Sequence, residues 1–174
     1  MDEIQLIDGC KRKEEKFQKA LYDLYARKMM AVCMRYVNRR EIAEDLLQEG
    51  FIKVFTAIET FNFAGSFEGW MRRIFVNTAL EYLRKNDVLR ETVDLEEPSV
   101  FFEPESSVVD RLSADELMEV IAQLPAGFRT VFNMFAIEGY SHKEIADTLG
   151  ITESTSRSQF TRAKKVLQKK LSEL

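Results

Sequence analysis

Histidine is almost absent from this chain, and cysteine, proline and glycine are scarce: one, two, three and seven residues respectively among 174. A structural zinc site takes about four cysteine or histidine ligands, and Cys10, Cys33 and His142 cannot supply them. The two cysteines stand far apart in sequence and read as reduced, packed thiols. No G-x-S-x-G precedes His142, which removes a hydrolase triad. None of the glycines falls into G-x-x-x-x-G-K-[ST] or G-x-G-x-x-G, so no phosphate-cradling loop is expected. The expectation is a protein without metal, cofactor, small-molecule substrate or catalytic activity. Long apolar runs are missing too. Met29–Met34 is among the longest and stops at six residues, against the ~18 that a membrane span needs. The start, Met1-Asp2-Glu3-Ile4, has neither a basic n-region nor an apolar h-region, so the expectation is a cytoplasmic protein with no direct membrane insertion.

What is present suits small soluble helical domains: 45% of residues are apolar, 31% are charged, and few are helix breakers. The net charge of −4 argues against coating DNA by bulk charge. Its distribution is more informative than its sum. Residues 1–86 hold 15 basic and 13 acidic side chains, 111–174 hold nine and eight, but 87–110 hold one and eight. That middle stretch also carries Pro98 and Pro104 and no helical period. It reads as an acidic flexible linker between two domains, 1–86 and 111–174. The fold class is accordingly all-α, with two small helical domains joined by the linker.

In the first domain the apolar spacing predicts a helix from about Glu15 to Asn38, with Phe17, Leu21, Leu24, Tyr25, Val32 and Tyr36 on its stripe. A second helix is expected from Arg40 to Ile58. It puts Ala43, Leu47, Phe51, Val54 and Ile58 on one side and Glu41, Asp45, Gln48, Glu49 and Ile52 on the other. A loop with Phe61, Phe63, Gly65 and Phe67 then leads into a third helix from Glu68 to Asn86. Here Trp70, Arg73, Asn77, Glu81 and Arg84 share a stripe at helical spacing, beside a core side containing Met71, Ile74, Phe75, Thr78, Ala79 and Tyr82. An indole, two guanidiniums and an amide in line suit a nucleic-acid surface, because aromatic faces accept unstacked bases and arginine neutralises phosphate. The competing reading is that the aromatics are simply core.

In the second domain Ser113-Ala-Asp-Glu116 has the capping-box form and opens a helix to Leu124. Pro125 starts the next, which ends before Gly139. Ser141-His-Lys-Glu144 repeats the capping box and opens a short helix to Leu149; Gly150 stops it. Thr152 caps a final helix reaching about Leu171. Helix, glycine turn and helix in this spacing form a helix-turn-helix, whose second helix enters the major groove. Ile145, Ala146, Leu149 and Ile151 supply its small core. Thr155, Arg157, Ser158, Gln159 and Arg162 are candidates for base and phosphate contacts. Lys164, Lys165, Lys169 and Lys170 follow as phosphate partners. Glu153 to Lys170 holds six bases and one acid, which concentrates positive charge where groove entry needs it. An ordinary helical pair with a solvated basic face is the bland alternative.

Asp45-Leu-Leu-Gln48-Glu49-Gly-Phe51-Ile-Lys53-Val-Phe55, followed by Phe61-x5-Phe67-x2-Trp70-x3-Ile74-x2-Asn77-x6-Arg84, resembles the promoter-binding region of bacterial sigma factors. Tyr140 to Gly150 and onward through Arg162-Ala163 is similar to that family's second DNA-reading domain. Two domains and a linker resemble the extracytoplasmic-function (ECF) group of the sigma-70 family. The resemblance implies that Asp45, Gln48, Glu49 and Ile52 bind the clamp helices of the polymerase β′ subunit. It implies that Phe61, Phe63, Phe67, Trp70, Arg73, Asn77, Glu81 and Arg84 capture the −10 element as single strand. Thr155, Arg157, Ser158, Gln159, Arg162 and Lys165 would read the −35 duplex. Core RNA polymerase, including its β flap, promoter DNA and an anti-sigma factor are the implied partners. The acidic linker would run near the RNA exit path. Stacking of ~1–3 kcal/mol per base can offset a few kcal/mol of unstacking per step, so opening needs no ATP site.

The chain departs from the family pattern at two places. Ser154-Thr155-Ser156-Arg157-Ser158-Gln159 stands where G-T-V-[KR]-S-R is common, so Ser156 replaces an apolar packing residue and Gln159 a base. Glu81 stands where Asp is common. The rival readings are a free-standing helix-turn-helix regulator binding duplex without polymerase, a metal-dependent nuclease, and a helical adaptor with no DNA role. The first usually needs a dimer, and the chain has no heptad zipper.

Overall fold

The computed structural model describes residues 1–86, 89 and 113–174. Apart from Leu89, the expected linker lies outside the described residues. All regular elements among the described residues are helical, and they form two compact units, Met1–Tyr82 and Leu83–Leu174.

The first unit opens with α1 (Glu3–Lys11), which the sequence reading did not anticipate. Nine residues show too few turns for a period to stand out, although Leu6, Ile7 and Cys10 are buried. Its start is fixed by a reciprocal cap: the Gln5 amide donates to Asp2 Oδ1 at 2.7 Å, and the Asp2 amide donates to Gln5 Oε1. The next helix, α2 (Glu15–Val37), ends on Asn38 in the left-handed region, φ 48°. After it come α3 (Arg40–Ala57), a 3₁₀ turn (Ile58–Thr60) and α4 (Phe67–Lys85). Leu21, Tyr25, Met29, Val32 and Tyr36 of α2 are buried against the apolar face of α3. That face is the expected one, Ala43, Leu47, Phe51 and Val54, continued by Ile58. Leu24 is corrected: it is 59% exposed, because it lies outside the arc set by Leu21, Tyr25 and Met29. A close approach seals the core at Gly50, where an added Cβ would sit 2.2 Å from the Phe75 ring. Cys10 and Cys33 are buried free thiols, and burial pushes their pKa values up to about 11 and about 12.

The second unit's helices are α5 (Ala114–Ala122), α6 (Ala126–Phe132), α7 (His142–Leu149) and α8 (Glu153–Ser172). Both predicted capping boxes form, on Ser113 with Glu116 and on Ser141 with Glu144. Backbone and hydroxyl hydrogen bonds from Ser113 hold the Glu116 carboxyl below its usual pKa. The single helix expected from Pro125 toward Gly139 instead changes winding. Pro125 is its extended N-cap, and Asn133–Ile137 form a π-helical turn. Val120, Ile121, Leu124, Phe128, Ala163, Leu167 and Leu171 make one core cluster uniting α5, α6 and α8. Arg129 is buried within this unit, and its guanidinium donates to the carbonyls of Ala122 and Leu124 at 3.1 and 3.2 Å. It thereby supplies the positive partner that a helix C-terminus favours.

Candidate functional site

Three surfaces follow from these helices. On α3, burying the apolar side turns Asp45, Gln48, Glu49 and Ile52 outward together, at i, i+3, i+4 and i+7. Ile52 is 66% exposed, one turn along α3 from Gln48 and Glu49. Next to it, Lys53 ties α3 to α4: its ammonium lies 3.1 Å from Glu49 and 2.7 Å from Glu81. Burial works against the charge on Lys53, but the hydrogen bonds of Glu81 and Glu49 outweigh it and raise its pKa.

The second surface starts at the aromatic loop. Here the structure corrects part of the expected base-stacking set. Phe61 and Phe67 are 5% and 1% exposed, so neither presents a face to a base. They form a floor instead: Phe61 meets Phe67 edge-on at 5.2 Å, and Trp70 packs on both at about 5.5 Å. Apolar area next to a small core is drawn into it unless geometry forbids. Phe63 is the exception. It is 48% exposed, leans on Phe61 at 4.9 Å and occupies the left-handed region at φ 61°. Half-buried Trp70 stands at the head of the expected stripe, and Arg73, Asn77, Glu81 and Arg84 are exposed below it along α4. A proline-free α4 holds them in line, one per turn.

The third surface is the helix-turn-helix of α7 and α8. Gly150 takes φ 68°, and the Ile151 amide donates to the Ala146 carbonyl at 3.1 Å, closing the turn as expected. Ile145 and Ala146 are buried, Leu149 and Ile151 half-buried. Thr152 caps α8 through the Thr155 amide at 3.0 Å, and the two threonine hydroxyls pair at 2.9 Å, which commits Thr155 to the cap. Arg157 is exposed and ion-paired with Glu153 at 2.9 Å, while the exposed Ser158 hydroxyl donates back to the Ser154 carbonyl. Gln159 and Lys165 are half-buried, and Arg162 is exposed.

Ser156, read in sequence as a lost packing residue, has a partner there. It is fully buried, and its Oγ lies 2.8 Å from His142 Nδ1 at the start of α7. The imidazole is stacked on Phe135 at 4.3 Å and meets Phe160 edge-on at 5.9 Å. Burial lowers the His142 pKa below 6.5; Arg157 adds to that and Glu153 opposes it. The sequence reading missed this contact. A lone histidine and a serine fourteen positions apart carry no signal without the turn that joins them.

Comparison with known proteins matches the chain in two segments. The Sigma-70 region 2 profile matches residues 21–88, and the Sigma-70, region 4 profile matches 114–167. The chain is 28% identical over 180 residues to the ECF RNA polymerase sigma-E factor of Haemophilus influenzae, covering 97% of this chain and 95% of that one. It is 34% identical over 153 residues to the ECF RNA polymerase sigma factor SigE of Mycolicibacterium smegmatis, covering 83% and 57%. In fold it is similar to the sigma factor RpoE of Bartonella quintana, solved in complex with the anti-sigma factor NepR, with TM-score 0.54, 21% identity and coverage of 90% and 96%. These likenesses favour the polymerase-dependent reading over a free-standing helix-turn-helix regulator, which would account for region 4 but not region 2. With both promoter-binding regions present in order along one chain, the protein belongs to the ECF group of the sigma-70 family of RNA polymerase sigma factors.

Proposed function

We propose that this sigma factor docks on the polymerase β′ clamp helices through Asp45, Gln48, Glu49 and Ile52. The observation that carries the reading is the two-sidedness of α3: one side is core, the other an acidic and amide surface around an exposed isoleucine. A basic partner gains charge complementarity from it, and Ile52 supplies apolar area for the centre of the contact. The −10 strand is captured by Phe63 and Trp70 with Arg73, Asn77, Glu81 and Arg84, over a floor of Phe61 and Phe67. The −35 duplex is read by α8 through Arg157, Ser158, Gln159, Arg162 and Lys165, with Thr155 ordering the helix start. Residues 1–86 are the opening domain, 111–174 the duplex-reading domain that also meets the β flap, and 87–110 the acidic linker.

On this reading the protein works in the cytoplasm, is no enzyme by itself, and is restrained by an anti-sigma factor. The family likeness supports that last point, since the Bartonella relative was solved with one. Among the described residues no helix is long and apolar enough to cross a membrane. Reconstitution with core polymerase on a promoter library tests the proposal. Wild type should bind core and start transcription on a subset of templates, and Ile52→Asp should lose core binding at unchanged thermal stability. Tight promoter binding that needs no polymerase would overturn it.

A further inference from the structure

The loop that carries Phe63 is tied down by an element outside both family matches. Lys11, the last residue of α1, donates from Nζ to the Phe61 carbonyl at 2.9 Å. The same ammonium stands 4.9 Å from the centroid of the Phe63 ring, in cation–π range. The partners are fifty residues apart, so α1 must be docked for the contact to form. Docking is secured by Leu6, Ile7 and Cys10 in the core and by Gly9, where Phe17 packs so closely that an added Cβ would lie 2.1 Å from the ring.

Phe63 needs such a tie. A bulky residue at φ 61° is held in a sparsely populated region, and such a conformation persists only where its surroundings over-determine it. Around it the Asn62 side chain accepts from the Ala64 amide at 3.1 Å, which bends the chain locally. Phe61 is anchored in the aromatic floor by Phe67 and Trp70. Lys11 adds the contact that engages both the backbone before Phe63 and the Phe63 ring itself. The result is an aromatic ring held half out of the surface against Phe61, the same ring on which Trp70 packs.

We infer that Lys11 is a positioning residue for −10 capture: it holds Phe63 in its outward, left-handed conformation so that the ring is preorganised for an unpaired base. The inference rests on the proposed role of Phe63. Preorganisation lowers the ordering cost at binding without adding a contact to the ligand. Lys11 therefore affects the single-strand step and leaves recruitment to duplex through α8 unchanged.

The test uses full-length holoenzyme and a double-mutant cycle of Lys11→Met and Phe63→Ala, with Lys11→Arg as the conservative variant. Two readouts are affinity for a single-stranded −10 oligonucleotide and permanganate reactivity of the opened promoter. Lys11→Met should weaken capture by about three- to tenfold, the scale of one charged hydrogen bond and one cation–π contact. Lys11→Arg should recover most of it, and in the Phe63→Ala background Lys11→Met should have no further effect. Duplex recruitment should stay within about twofold, and the salt dependence of capture should keep its slope. A capture loss equally large in the Phe63→Ala background would overturn the inference, as would a slope reduced by about one phosphate contact. Unchanged capture in Lys11→Met, with Phe63→Ala impaired, would also overturn it and leave the role of Phe63 standing. If Phe63→Ala itself captures normally, the reading beneath the inference fails as well.

Discussion

Replacing Ser156 by alanine removes one oxygen atom from the interior of the second helical unit, and the structure sets the size of the effect. Ser156 is fully buried, and its hydroxyl pairs with His142 Nδ1 at 2.8 Å. Loss of the hydroxyl leaves a half-buried ring nitrogen without that partner, which costs about 1 kcal/mol. His142→Phe keeps a ring on Phe135 and strands the buried hydroxyl instead, at about 1–2 kcal/mol. Converting both members should cost about 1 kcal/mol less than the sum of the single changes, because paired polar groups replaced together leave nothing unsatisfied. In a domain of this size each kcal/mol moves the melting temperature by about 4–8 °C. Urea unfolding of the full chain, followed through the α7 and α8 amide signals by NMR, reads each value.

Burial of His142 gives the domain a pH dependence whose sign is fixed. The folded state lowers the His142 pKa below 6.5, so the unfolded chain binds the proton more tightly. The associated stability is complete above roughly pH 6.5 and is lost as pH falls through the folded value. Because His142 is the chain's single histidine, one imidazole signal reports the titration directly. Stability of wild type should therefore fall, as pH drops below about 6.5, by more than that of His142→Phe. Carboxylates that do not interact with His142 contribute equally to both and drop out of the difference; Glu153, which favours the charged imidazole, reduces it. Parallel pH curves for the two proteins, or single substitutions that add within about 0.3 kcal/mol, would refute the reasoning.

Two further outcomes are expected. Gly50→Ala should destabilise the first domain, since forcing the Phe75 ring from an atom 2.2 Å away costs about 1–3 kcal/mol, more than the ~1 kcal/mol gained in helix propensity; urea unfolding followed by the fluorescence of the lone Trp70 measures it, and a more stable variant would contradict the close packing. Lys53→Met should barely change stability, because exposed ion pairs contribute about 0–1 kcal/mol. On the proposed reading of α4 it should weaken −10 oligonucleotide binding severalfold, because Lys53 holds the Glu81 carboxylate in place at 2.7 Å; unchanged binding would remove that positioning role.

The features legible in the sequence share one property: they are local. Helical period gave the faces of α3 and α4, and Ser113, Ser141, Gly150 and Thr152 announced their caps because a cap involves residues three or four apart. The helix-turn-helix is a sum of such local signals. What escaped the reading depends on contacts distant in sequence. Burial of Phe61 and Phe67 is settled by Trp70 and by the core below, not by the loop's composition. Leu24 and Tyr25 are adjacent and equally apolar in pattern, yet one is exposed and the other buried, because α2 presents only one arc to α3. The π turn at Asn133–Ile137 has no proline or glycine to mark it.

Ser156 shows why a departure from a family pattern is a poor guide when taken singly. A serine at a packing position predicts a deficit, since a buried hydroxyl without a partner costs more than the methyl groups it replaces would supply. That deficit disappears if a second residue brings an acceptor or donor to the same place. His142 does so from the first turn of α7, and Phe135 and Phe160 hold its ring in plane with the task. The compensation couples the two helices of the helix-turn-helix through one polar contact rather than through apolar filling. A contact of that kind is directional, whereas apolar packing tolerates sliding. On the proposed reading, the orientation of α8 on α7, and with it the bases that Arg157 and Gln159 would reach, should therefore respond to changes at His142 that leave the side chains proposed to contact DNA untouched.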